Sequence, residues 1–383
     1  MNNEQPYDLA ILGGGCAGLG LARELAAHRL GQRVIIIEPR HRYEDDRSWC
    51  FWAPTQHRLK HMVSHTWSRW AASRLGQASS VGELTGHGYH YVRASDYYEA
   101  CLGAVRANAQ IELALGQAAT DVKRTDQGWL IQANETSYVA REVIDTRPLP
   151  KAQGMRALLL QCFMGVEIEL NQDSALDLDE VELMTNMRLL DGEFCFDYVL
   201  PLAANRVLAE VTFFSRQPVD CAQLTRALEQ MLTARQWHTA RVLRREHGVL
   251  PMGLIGLPPA SADQPTRAGM GGNALRSSSG YGFLRIQSWA RACAAHFVKT
   301  GQVINQHTST PTIERMDRLF LKVVGQNPAL APELFDAMFK RVPTQRLLRF
   351  MGDDASWRDC LSIIASQPTL PFLKSLMTAR LDR

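Results

Sequence analysis

Tyr7-Asp8-Leu9-Ala10-Ile11-Leu12-Gly13-Gly14-Gly15-Cys16-Ala17-Gly18 decides the fold: a short strand-like run passes directly into G-x-G-x-x-G, carried by Gly13, Gly15 and Gly18. A helical segment, 19–30, and a second strand, Arg33-Val34-Ile35-Ile36-Ile37-Glu38, come next. Glu38 falls twenty residues beyond Gly18, the spacing at which a carboxylate accepts the ribose hydroxyls of a dinucleotide. Each glycine has its own task. Gly13 makes the tight turn, Gly15 lets the backbone approach a pyrophosphate, and Gly18 permits close helix packing. The helix N-terminus then offers unpaired N–H groups to the phosphates. A glycine turn in an ordinary βαβ unit without a cofactor is the alternative, and the complete flanking context speaks against it. The pattern serves nicotinamide and flavin dinucleotides alike. Its place near residue 1, and later segments that return to the same domain, favour flavin.

Bulk properties narrow the class. A chain of 383 residues has room for two or three domains and a large core. With 46% hydrophobic and 21% charged residues it is globular in composition. The net charge is only +3, and the basic residues (Arg40, Arg42 and Arg47; Arg241, Arg244 and Arg245) are scattered, so nucleic-acid binding is not expected. Eight cysteines without C-x-x-C spacing indicate neither a zinc site nor a disulfide framework. His57, His61 and His65 are spaced to share a helical face, but no H-E-x-x-H carboxylate accompanies them, and no metal is expected. The polar residues 1–6 and the lack of a long apolar run lead to the expectation of a cytoplasmic protein, with peripheral membrane attachment left open.

Further along, residues 45–70 are rich in aromatic side chains and histidine, including Trp49, Phe51, Trp52, Trp67 and Trp70. A strand is expected at 89–93, a helix at 95–105 and short strands at 111–122, 128–131 and 138–144. Between 160 and 215 the chain alternates with period two, as in Phe194-Cys195-Phe196-Asp197-Tyr198-Val199-Leu200, which predicts an antiparallel sheet. A helix at 221–241, extended structure at 248–252, a glycine- and serine-dense loop at 269–282 and a helix at 283–299 are expected next. The remainder is helical by pattern, with breaks near Pro343, Pro368 and Pro371.

Two carboxylates are candidate acids. Glu210 sits in an apolar strand-like run, where burial beside aromatic groups would raise its pKa and keep a proton available. Alternation does not decide its face, because both neighbouring sets are apolar; a solvent-facing carboxylate, or one paired with an arginine such as Arg206, is the alternative. Glu246, before Gly248-Val249-Leu250-Pro251, is the second. Trp49, Phe51 and Trp52 either line a substrate cavity or fill the core between domains. The loop holding Gly271, Gly272, Gly280 and Tyr281 can lay backbone N–H groups against a flavin, or be a plain surface loop.

At these residues the sequence resembles the flavin-dependent lycopene cyclase family of carotenoid biosynthesis. Asp46-Arg47-Ser48-Trp49-Cys50-Phe51-Trp52 is similar to its D-R-[ST]-W-C-F-W segment, Val143-Ile144-Asp145-Thr146-Arg147 to V-x-D-x-R, and Gln161-Cys162-Phe163-Met164-Gly165 to Q-x-F-x-G. Leu208-Ala209-Glu210-Val211-Thr212 resembles the strand with the family's essential acid, Glu246-His247-Gly248-Val249-Leu250-Pro251 its E-x-G-x-x-P, and Arg276-Ser277-Ser278-Ser279-Gly280-Tyr281 its R-P-S-T-G-Y. The resemblance implies a bacterial lycopene β-cyclase type of enzyme: reduced FAD, NAD(P)H as external reductant, and redox-neutral ring closure begun by an acid. An FAD-dependent oxidoreductase or monooxygenase acting on an apolar polyene is the alternative.

By position, Glu210 matches the catalytic acid and Glu246 assists. Gly13, Gly15, Gly18, Glu38, Arg47, Asp145, Gly271, Gly272, Gly280 and Tyr281 fall at cofactor positions, and Trp49, Phe51 and Trp52 at the substrate. An apolar substrate resident in membrane implies peripheral contact with a bilayer. The expected architecture is α/β: a Rossmann-type FAD-binding domain of the GR2, flavin-monooxygenase kind, assembled from 1–75, 120–150 and 255–300. An antiparallel-sheet substrate domain (76–119 and 151–254) and a helical C-terminal domain (301–383) complete it. The chain departs from the family pattern at Val211, where a second acid is common, at Ser277 and Ser279, and at Asn186, where an acid is common.

Overall fold

Strands with apolar residues at every position suit a parallel sheet covered on both faces, and Tyr7–Leu12 (β1) and Val34–Glu38 (β2) form one, joined through the helix Cys16–Ala26 (α1). The computed structural model describes residues 5–149, 156–257 and 261–381. The polar residues 1–4 and the expected domain junction at 150–151 lie outside the described residues.

After β2 come β3 (Ser48–Pro54), β4 (His65–Trp67), β5 (Arg69–Arg74), β6 (Ser80–Glu83) and β7 (His87–Arg93), then helix α2 (Ala94–Arg106). β3, β7 and β4 make a small antiparallel sheet of their own. β8 (Ile111–Leu115) returns beside β2, and β9 (Ala119–Thr125), β10 (Gly128–Ala133) and β11 (Thr136–Asp145) form a meander whose last strand lies parallel to β1. The result is an α/β sheet of order β8-β2-β1-β11-β10-β9.

The second sheet holds β12 (Arg156–Leu170), β13 (Glu180–Leu190), β14 (Glu193–Ala203), β15 (Arg206–Ser215) and β16 (Thr239–Ile255), in the order β16-β12-β15-β14-β13-β5-β6. Helix α3 (Cys221–Ala234) covers one face through Leu224, Leu228 and Met231, which meet Cys162, Val166, Val199, Val211 and Phe213. Burial of each such large side chain contributes about 1.5–3 kcal/mol. The chain then adds β17 (Thr266–Arg267) beside β11 and continues through α4 (Phe283–Thr300), which packs on α1. α5 (Pro311–Gln326), α6 (Ala331–Arg341), α7 (Thr344–Met351), α8 (Trp357–Ser366) and α9 (Thr369–Leu381) cover the other face of the second sheet.

Several expected boundaries move. Ile111–Leu115, assigned to the substrate domain, belongs to the nucleotide-domain sheet, because its alternate apolar residues continue the surface begun by β2. Arg69–Arg74, assigned to the nucleotide domain, pairs parallel with β13 in the second sheet, a long-range pairing without a local signal. The strand expected over 111–122 is two strands, and the helix expected over 221–241 ends at Ala234. There Gln236 takes a left-handed turn (φ 55°) that carries Trp237 into the core. Pro343 and Pro368 fall between helices, but Pro371 lies in the first turn of α9, where a missing N–H costs nothing.

Candidate active site

The nucleotide end is built as its glycines require. Gly13 has φ 92°, and its carbonyl oxygen lies 1.9 Å from where a Cβ on Gly18 would sit, so no side chain fits at Gly18. A Cβ on Gly15 would meet nothing within 4 Å, and α1 starts at Gly15 without a side-chain cap. The helix therefore presents N–H groups beside open space, as a pyrophosphate requires. Glu38, at the end of β2, accepts from the Gly14 N–H at 2.5 Å and from Arg40 Nε at 2.7 Å. Burial works to raise its carboxyl, but Arg40 and these N–H groups outweigh it and hold it below the usual range.

Other expected cofactor residues have protein partners. Asp145 accepts from Arg147 Nε and Nη2, each at 2.9 Å, and faces Arg267 at 3.5 Å, so its carboxylate locks the end of β11. Gly271 and Gly272 let the loop pass the carbonyls of Arg147 and Arg267, which a Cβ would approach to 2.4 and 2.7 Å. Arg47 pairs with Asp46 at 2.7 Å, and both border the central cavity. Gly280 (φ 69°) and Tyr281 line the same cavity.

That cavity, about 730 Å³, lies between the second sheet, the loop 278–282 and helices α5–α9. Strand register explains what its floor exposes. Gly165 on β12, which lies between β15 and β16, is opposite Glu210 on β15 and Glu246 on β16, and Glu210 is opposite Tyr198 on β14. Cross-strand partners point to one face, so Tyr198, Glu210 and Glu246 form a row with a gap at Gly165. A Cβ there would lie 3.3 Å from both Glu210 Cβ and Glu246 Cγ. The next row toward the tail is Phe196, Thr212, Phe163 and Gly248, and all four line the cavity. The face of Glu210, undecided by alternation, is therefore the cavity face. Val211 points to α3, where a second carboxylate would be buried outside the cavity.

The two carboxyls have different surroundings. Burial, followed by repulsion from Glu246, pushes Glu210 up to about 8; the hydroxyl of Thr212, donating at 2.8 Å, and Arg244 pull the other way. Burial also holds Glu246 above the ordinary carboxylate range, though Arg244 Nη1 donates to it at 2.5 Å and Ser48 Oγ at 3.2 Å, contacts that favour its anion and oppose the rise. At neutral pH the proton of the pair therefore resides on Glu210. Arg206 does not pair with Glu210; it binds Glu167.

Aromatic rings form the walls. Trp52 packs on Tyr89 (4.3 Å between centroids), and Tyr89 shares hydrogen bonds with Tyr198 and Tyr281 at 3.0 and 3.1 Å. Trp49 borders the cavity and stacks on Phe283. Phe51, expected at the substrate, lies instead in the core between α2 and α4, against Phe283 and His90, because β3 alternates its faces. His57, His61 and His65 occupy a loop, a short 3-10 turn and β4 and share no helix face; among the described residues no group of three ligands is placed to hold a metal. Ser277 binds Glu314 at 3.0 Å, and Asn186, at a bulge of β13, donates to Asp197.

Sequence reading missed Arg244, Thr212, Ser48, Gly165 and Tyr198. The period-two spacing of Arg244 and Glu246 was the available signal, since strand neighbours two apart share a face.

The arrangement is that of a Rossmann-type, GR2-like flavoprotein fold with an inserted sheet domain and a helical C-terminal region. A geranylgeranyl bacteriochlorophyll reductase-like protein from Thermoplasma acidophilum shares it with TM-score 0.60 at 12% identity, over 97% of this chain and 98% of that one. CtdE, solved with FAD and a substrate, aligns with TM-score 0.57 at 12% identity, over 92% of each chain. The halogenase PltM does so at 0.56 and 14%, over 98% of this chain and 93% of that one. These likenesses show the fold alone. No curated protein matches the chain. Residues 8–377 match the lycopene cyclase protein family, and the chain belongs to that family.

Proposed function

We propose that the protein is a lycopene β-cyclase, closing linear carotene end groups into β-ionone rings with reduced FAD and no net redox change. The observation that carries this reading is a buried carboxyl, raised to about 8, on the floor of an aromatic-walled cavity. Such a group holds its proton at neutral pH and has no polar substrate to give it to. The residues present fit FAD: the open backbone at Gly15, the uncapped start of α1 and the anionic Glu38 would hold its pyrophosphate and ribose. When bound, reduced FAD supplies negative charge that stabilises a nearby carbocation.

The chain's own groups perform the proton chemistry. Glu210 gives its proton to the terminal double bond of the polyene, leaving a tertiary cation. The π electrons of a neighbouring double bond close the six-membered ring, which moves the positive charge into it. Glu246 takes the proton that leaves as the ring double bond forms, and the pair returns it to Glu210 across Gly165. The faces of Trp52, Tyr89, Phe163 and Phe196 favour the cation, and the apolar walls exclude water that would capture it. NAD(P)H serves as external reductant for the flavin.

A bilayer is the proposed source of substrate. Ile364 on α8 and Leu373 on α9 line the cavity while remaining half exposed, and Leu370 and Met377 on α9 are exposed, an apolar patch suited to a bilayer surface. Among the described residues no helix is long and apolar enough to cross a membrane, so the contact is superficial.

The test is expression in a lycopene-accumulating host with pigment mass and retention measured. A cyclic product of unchanged mass is expected, lost in Glu210→Gln. The likeness of the fold to CtdE and PltM supports a second reading, a flavin oxidoreductase or monooxygenase on an apolar substrate; a change of product mass with stoichiometric NAD(P)H consumption would establish it instead.

A further inference from the structure

One row beyond the glutamate pair, on the same face of the second sheet, lies a knot of charge of which the ring-closing steps use only Glu246. Arg244, buried on β16, reaches Glu246 at 2.5 Å, Glu167 at 3.3 Å, the Tyr91 hydroxyl at 3.0 Å and Asp45 at 3.7 Å. Glu167, on β12, is also held by Arg206 from β15, and Asp45, ahead of β3, by Arg93 at 2.5 Å from β7. The knot thus ties the second sheet to the small sheet and to the loop before β3. It sets three guanidinium groups, Arg93, Arg206 and Arg244, against three carboxylates, Asp45, Glu167 and Glu246. The tally closes without Glu210, whose side chain accepts, among the described residues, from the Thr212 hydroxyl alone.

We infer that Arg244 is a positioning residue that fixes the proton on Glu210: the knot and Glu210 taken together are neutral only while Glu210 keeps its proton, and Glu246 is the knot's anionic member facing the cavity. Every element around the pair fits this account. β3 contributes Ser48 and Cys50, β14 Tyr198, β15 Thr212, and β7 Tyr91, all uncharged at neutral pH. Arg245 on β16 is exposed, His247 is exposed at the cavity border, and Asp46 and Arg47, also at the border, neutralise each other at 2.7 Å. Asp317, which borders the cavity from α5, is engaged by Arg276 at 3.0 Å. The catalytic meaning of this assignment rests on the cyclase reading; the protonation itself does not.

The balance makes a prediction of opposite signs. Arg244→Met removes a cation and leaves the knot one charge negative, so the ionisation midpoint of Glu210 should rise. Glu246→Gln removes an anion and leaves it one charge positive, so the midpoint should fall. Each shift should be about one pH unit or more, and the double variant should return to within about half a unit of the parent. The readout is the protonated-carboxyl infrared band of the purified full-length protein, titrated with pH and assigned to Glu210 by subtracting the corresponding Glu210→Gln protein. Shifts of the same sign, or a double variant that adds the two displacements without cancelling them, would overturn the proposal. Arg244→Lys, which keeps the charge, should hold the midpoint near the parent's even if the knot loosens, and a midpoint like that of Arg244→Met would also overturn it. The titration needs no turnover, so failure of the cyclase reading shows separately, as missing product in the pigment assay.

Discussion

Replacing Glu210 with Gln should stabilise the folded protein at pH 8, though not at pH 5, while removing its proposed chemistry. Burial moves this carboxyl from its ordinary 4.5 to about 8. Between those two values folding takes up a proton, because the unfolded chain has lost it and the folded chain has not. Stability therefore falls as the pH rises through that window and levels off above about 8. At about 1.4 kcal/mol per pH unit, the cost at pH 7 is about 3 kcal/mol, and above pH 8 about 5 kcal/mol. Glutamine has the same shape and its carbonyl keeps the Thr212 hydrogen bond, but its NH2 group is buried, which costs about 1–3 kcal/mol at every pH. The pH dependence of the difference is therefore the diagnostic. Between pH 5 and pH 8 the variant should gain about 4 kcal/mol on the parent, which for 383 residues is about 5 °C in Tm. Parallel thermal melts at the two pH values measure it, and contributions from groups remote from Glu210 cancel in the subtraction. A Tm difference that does not change between pH 5 and pH 8 would refute the claim that this carboxyl is held neutral by burial.

Other perturbations probe separate parts of the site. Product formation should fall about tenfold for each pH unit above about 8, measured as initial rate in detergent, because only the protonated Glu210 acts. Gly165→Ala should lower kcat about tenfold with flavin content unchanged, since its Cβ, 3.3 Å from atoms of both glutamates, spreads the pair; an unaffected kcat would show that the gap does not matter. Gly18→Ala should yield protein that retains no flavin on gel filtration, because the new methyl would meet the Gly13 carbonyl at 1.9 Å. Leu370→Glu combined with Met377→Glu should at least halve co-sedimentation with lipid vesicles while leaving bound flavin intact, and undiminished sedimentation would place the bilayer contact elsewhere.

How much was legible in the sequence depended on how local the signal was. The β1-α1-β2 unit and Glu38 were readable because turn, helix and carboxylate lie within forty residues and each follows from its neighbours. The face of Glu210 was not, because the second sheet is covered on both sides, by α3 and by the tail helices, so both residue sets of β15 are apolar and alternation is silent. Phe51 and Trp52 were grouped as substrate residues, yet adjacent strand residues face opposite ways, and only Trp52 reaches the cavity. Arg69–Arg74 gave no hint of its sheet, since its partner Glu180–Leu190 lies a hundred residues away. The glutamate pair itself emerged only with register: Gly165 lies between two residues that sequence separates by thirty-six positions.

Arg276, fully buried, leaves the glycine loop to grip Asp317 on α5 and the Phe350 carbonyl on α7, with its guanidinium 4.2 Å above the Phe350 ring. The glycine loop and the helical roof of the chamber are thus riveted together at one corner. Loosening of the C-terminal bundle, by heat or by a distant substitution, would be transmitted to the nucleotide pocket as surely as damage within it. In practice, loss of yellow colour should report injury to the roof.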